Sequence, residues 1–126
     1  MLYSFDVAIP ANTAKTAAVE QECKVSPGTV VRLMVVFPPG CAKLAHVKIL
    51  AGGHQVWPGN PDGDLAGDSE IIDVPEDYLI ERGRFYFTVR AWNDDDTYQH
   101  TVVVRFAIER PIRGFRRVTA FVAFGR

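Results

Sequence analysis

The chain has 126 residues and a formal net charge of −1, with 48% hydrophobic and 23% charged residues, which excludes a disordered polar chain and describes a domain with its own core. The charge is unevenly spread: residues 64–109 hold eleven Asp/Glu against four Arg, whereas residues 110–126 hold five Arg and no acid. That split excludes a uniformly basic nucleic-acid binder and a uniformly acidic tail.

Period-two alternation dominates from the first residues. Phe5, Val7 and Ile9 alternate with Ser4, Asp6 and Ala8, predicting a strand that Pro10 stops. Ala17, Val19, Gln21, Cys23 and Val25 share one face of the next strand, opposite Glu20, Glu22 and Lys24. Ser26-Pro27-Gly28 then turns the chain, and a hairpin there sets Cys23 opposite Arg32 and far from Cys41. Two cysteines are too few for a disulfide framework, and no CxxC or Cys/His cluster points to a metal.

Residues 30–37 are apolar except for Arg32, the mark of a central strand, and Pro38-Pro39-Gly40 ends it. Residues 44–50 follow as a strand with Ala45, Val47 and Ile49 inward and His46 and Lys48 outward. Gly52-Gly53 predicts a bulge or bend before the short run 54–57. Residues 58–68 form a loop and 70–74 a short strand. Asp73, Pro75, Glu76, Leu79, Arg82 and Gly83 then give start and stop signals for one or two helical turns. Residues 85–92 alternate cleanly, Asn93-Asp94-Asp95-Asp96 turns, and 100–109 returns with Val102, Val104, Phe106 and Ile108 on one face.

Seven to eight strands with one short helical turn predict an all-β, antiparallel β-sandwich, jelly-roll or immunoglobulin-like in its connections. The Cys-Trp-Cys order of a true immunoglobulin domain is absent. The sandwich is expected over residues 1–110, with 111–126 as a basic aromatic arm or last strand. No apolar run reaches the ~18 residues of a membrane span. The first six residues lack the basic start of a secretory signal, so no signal peptide is expected and the chain is expected in the cytoplasm during synthesis.

No catalytic spacing stands out, and no cofactor is expected. Ser4, Ser26 and Ser69 lie outside any G-x-S-x-G, and His46, His54 and His100 lack the i, i+4 pairing of a zinc protease. Asp62, Asp64 and Asp68 alternate as calcium ligands do, but Leu65 and Ile71 stand where an EF-hand needs Gly and Glu. Trp57 and Trp92 are candidate stacking platforms for a carbohydrate, with Asp62, Asp64 and Asp68 nearby for its hydroxyls; core or core-edge placement is the plainer reading.

The tail carries the sharper expectation. Arg110, Arg113, Arg116 and Arg117 are interleaved with Phe115, Phe121 and Phe124, and the segment from Val118 onward is apolar on both faces of a strand. Such a segment needs covering, by its own domain or by a neighbour. The preferred reading is an arm that docks on an adjacent copy, its arginines meeting the acidic segment. A nucleic-acid partner is not expected.

The segments Phe37-Pro38-Pro39-Gly40-Cys41, Gly52-Gly53-His54-Gln55-Val56-Trp57-Pro58 and Ala91-Trp92-Asn93-Asp94-Asp95-Asp96-Thr97 resemble a group of small uncharacterised proteins found in phage and phage-like settings. The similarity spans residues 2–109 and leaves out the tail. It implies a virion-associated β-sandwich, such as a capsid decoration, vertex, head-fibre or tail component, and so a virion as its location. With the arm reading, the expected partners are further copies of the chain, as a homo-oligomer, and a larger protein shell.

Overall fold

Alternating burial along each strand sorts the chain into two facing sheets. The computed structural model describes residues 1–80 and 85–110. Among them lie nine strands: β1 (Leu2–Ile9), β2 (Val19–Val25), β3 (Gly28–Phe37), β4 (Ala45–Ala51), β5 (His54–Trp57), β6 (Leu65–Ala66), β7 (Glu70–Ile80), β8 (Phe85–Asn93) and β9 (His100–Glu109). One sheet runs β1-β9-β3-β7; the other runs β2-β8-β4-β5, with β6 also beside β4. Every pair is antiparallel.

The pairing is nested. β1 joins β9, β2 joins β8, β3 joins β7, and β4 joins β5. Among the described residues the first strand pairs with the last, and so inward, which is a long hairpin rolled into two sheets, the jelly roll. The immunoglobulin connectivity is thereby set aside.

The inward faces form one core. Val30, Leu33, Val35 and Phe37 of β3 and Val102, Val104, Phe106 and Ile108 of β9 face Phe87, Val89 and Ala91 of β8 and Val47 and Ile49 of β4. A bulge between Val30 and Arg32 lets both Val30 and Leu33 point inward. At the centre Phe87 and Phe106, one from each sheet, stack at 4.6 Å and 9°.

Two expectations are corrected. The helical turn expected from Asp73 to Gly83 does not form over the described part: β7 continues to Ile80. Tyr78 pairs with Val30 and Ile80 with Gly28, so the pull of the core overrides the helix-start signals, and an edge strand tolerates Pro75. Arg82 and Gly83 lie outside the described residues. The short helical turn that does form is a 3-10 turn at Lys15–Ala17. Second, residues 26–27 and 94–99 do not close hairpins; each crosses from one sheet to the other, and Cys23 stands opposite Phe87, not Arg32. The bend expected at Gly52-Gly53 is the turn that closes the β4–β5 hairpin, both glycines at positive φ. Cys23 and Cys41 are buried free thiols.

The crossing at residues 26–28 depends on Gly28. Its φ is +148°, and a Cβ there would meet the Glu109 carbonyl oxygen at 2.6 Å. Only a glycine lets this corner close against the end of β9.

Candidate functional site

Backbone hydrogen bonds knit four connections together at one pole of the sandwich. Asn12 N–H donates to Asp95 O (2.7 Å), Asp94 N–H to Leu44 O (2.8 Å), Lys43 N–H to Gly67 O (3.2 Å) and Ser69 N–H to Pro38 O (3.3 Å). This pole gathers Asp64, Asp68, Asp94 and Asp95 with their partners.

His46, outward on β4, lies between two of those carboxylates. Its Nδ1 is 2.7 Å from Asp64 Oδ1 and its Nε2 is 3.0 Å from Asp94 Oδ2. A protonated imidazole donates to both; a neutral one donates to one. The register of β4 on β8 sets Trp92 beside His46, and the rings stack at 5.2 Å and 10°. Lys15 Nζ and Lys48 Nζ lie 5.3 and 6.0 Å from the Trp92 ring centre, within cation–π reach. Trp92 therefore points away from the core yet is only 4% exposed.

Asp95 and Asn93 fasten the β8–β9 crossing. Asp95 Oδ1 accepts from Thr97 N–H (2.9 Å) and Tyr98 N–H (3.2 Å), and Oδ2 is 2.8 Å from His100 Nε2. The Thr97 N–H, and then His100, hold its carboxyl below the usual aspartate range. Because the folded value lies below the unfolded one, this stabilisation is complete above the unfolded range, about pH 4, and is lost as pH falls through the folded value. Thermal melts taken from neutral pH downward should show the wild type losing Tm across that window. Asp95→Asn should start lower and lose less; equal slopes would exclude Asp95 as a contributor.

The sequence-predicted ligand residues do not converge. Trp57 is buried on the inner side, its ring 5.5 Å from Tyr78 and 5.4 Å from Phe87. Neither tryptophan presents an open face for a sugar. Asp64 serves His46, Asp68 Oδ1 accepts from Gly40 N–H (3.0 Å), and Asp62 sits apart on the exposed loop. Among the described residues no group of three or more His, Cys, Asp or Glu is disposed to hold a metal ion. Burial pushes the Cys23 thiol up to about 12 and raises that of Cys41, so neither supplies a thiolate nucleophile near neutral pH.

The remaining candidate is the edge of the first sheet. β7 carries Glu70, Asp73, Glu76 and Asp77 and no basic residue, and Ile71 and Leu79 are each 60% exposed on it. Among the described residues no strand lies on its other side, which leaves one row of its backbone groups without a strand partner there. Ile72, Val74 and Tyr78 pack on the core but stay half-buried, unlike the fully covered residues of β3 and β9. Asp73 pairs with Arg32 at 2.7 Å.

Of the residues expected at an interface, Arg110 lies with its Nη2 3.8 Å from Met1 Sδ. That places it on the β1 side of β9, away from β7. Arg113, Phe115, Arg116, Arg117, Phe121 and Phe124 lie outside the described residues. The acidity of 70–77 was visible in the sequence, but its position on an open edge was not. The His46–Trp92 stack depends on cross-strand register and leaves no local signal. Comparison with known proteins finds no matching family model, no matching curated protein and no matching solved structure.

Proposed function

We propose that this is a non-enzymatic assembly protein, a virion component of the decoration, vertex or fibre type, whose copies join through the basic arm of one and an acidic surface of the next. The observation that supports it is β7, an acidic strand at the sheet edge among the described residues with exposed Ile71 and Leu79, in a chain whose residues 110–126 hold five arginines and no acid. Jelly rolls build viral capsids, lectins and cupins alike, so the fold admits the role without deciding it. The charge arrangement favours contact between copies, and the resemblance to phage-associated proteins favours a particle as its setting. A contact between two different surfaces repeats from copy to copy and builds rings or lattices.

The test is light scattering coupled to size-exclusion chromatography. The full chain should show a mass that rises with concentration toward a defined oligomer. A chain ending at Arg110 should remain monomeric with an unchanged melt. A full chain that stays monomeric at every concentration would sink the reading.

A further inference from the structure

We propose that residues 111–126 of one copy add as an antiparallel strand to the open edge of β7 in a second copy. This rests on the assembly reading above and names the surface that reading leaves open.

Two acidic surfaces compete for the arm, and internal neutralisation separates them. At the looped pole Asp64 and Asp94 face His46, Asp95 faces His100, and Asp68 accepts from Gly40 N–H. On β7, Asp73 has Arg32, and Glu70 Oε1 accepts from Asp68 N–H at 3.3 Å. Glu76 and Asp77 have no ion pair among the described residues. An incoming arginine pair therefore finds on β7 two adjacent carboxylates with no ion pair among the described residues.

The apolar groups match as well. The arm is apolar on both strand faces from Val118 to Phe124. β7 is apolar on both faces too, with Ile72, Val74 and Tyr78 half-covered inside and Ile71 and Leu79 bare outside. At its start lies a shallow groove of about 590 Å³ lined by Val36, Phe37, Pro38, Pro39, Ser69, Glu70 and Ile71. The seven-residue step from Arg117 to Phe124 equals the step from Glu76 back to Ser69. Antiparallel docking thus sets Arg116 and Arg117 against Asp77 and Glu76 while Phe124 reaches the groove. A parallel strand does one or the other.

The edge is also guarded against wrong partners. Pro75 removes one donor, and four carboxylates repel a second β7, so two bare edges do not pair. A basic strand meets no such repulsion, which is the mode of strand addition with charge-set specificity.

The test exchanges charges in the full chain. Glu76→Lys with Asp77→Lys, and separately Arg116→Glu with Arg117→Glu, should each weaken association by about tenfold or more with melts unchanged. Mixing the two variants should restore the wild-type mass, because each arm then meets an edge of opposite sign. Variants that associate as the wild type does would overturn docking on β7 while leaving the assembly reading intact. Failure of the mixture to recover would likewise overturn it. A full-length wild type that is monomeric, with its arm on its own edge or elsewhere, removes both.

Discussion

Phe87→Ala is expected to destabilise the fold by about 4 kcal/mol, measured by denaturant unfolding. The size follows from where the ring sits. Phe87 is fully buried and stacks on Phe106 at 4.6 Å, the pair joining the two sheets face to face. Phe85, Trp57 and Tyr78 surround it at 4.9, 5.4 and 5.8 Å. Those rings belong to β8, β5 and β7, each held by its own ladder, so they cannot close on the space left behind. A cavity walled by rigid elements costs near the top of the large-to-small range. Phe87→Leu keeps most of the volume and should cost about 1.5 kcal/mol. A loss below about 1 kcal/mol for the alanine variant would mean that the sheets slide together, and that the stack does not set their separation.

The same ring shows what alternation reveals. Phe85, Phe87, Val89 and Ala91 fall on one face in the sequence, and that face is the inner one. β9 behaves alike, with Val102, Val104, Phe106 and Ile108 all buried. Strict alternation needs no knowledge of partners, because it records only which side is dry. Partners are another matter. Leu2 pairs with Ala107, and nothing local to either residue announces the other. A short turn between two alternating strands looks the same whether the chain returns beside itself or crosses to the opposite sheet. Residues 26–27 and 94–99 both cross. The Val31 bulge shifts the register of β3 in a run too uniformly apolar to display it.

The candidate site divides in the same way. Charge is additive along a chain, so the acidic segment and the basic end are visible before any fold is known. Which acids stay uncompensated is a tertiary fact. His46 takes up Asp64 and Asp94 because β4 pairs with β8 in one register, while Glu76 and Asp77, on the outermost described strand of the first sheet, have no ion pair among the described residues. Pro75 beside Asp73 and Glu76 resembles a helix start; on an edge strand the same three residues become a guarded, acidic border.

Asn93→Ala should cost about 3 kcal/mol, because one buried amide serves three backbone groups. Asn93 is 1% exposed; its Nδ2 donates to Ile9 O (3.2 Å) and Tyr98 O (2.9 Å), and its Oδ1 accepts from Asp95 N–H (2.9 Å). Alanine leaves two carbonyls and one N–H without this partner at the crossing from β8 to β9. Asn93→Asp is expected to be worse than alanine at neutral pH, because a carboxylate then faces two carbonyl oxygens with no proton to offer. Acidification should narrow the gap between the two variants as the carboxyl protonates. Amide exchange at Asp95 should quicken in both, which separates loss of this anchor from a general weakening of the core. The residue sits at the looped pole, remote from Glu76 and Asp77, so folded Asn93→Ala should associate with the wild-type mass. A variant that keeps its fold but loses association would place the contact between copies at the β8–β9 crossing and away from Glu76 and Asp77.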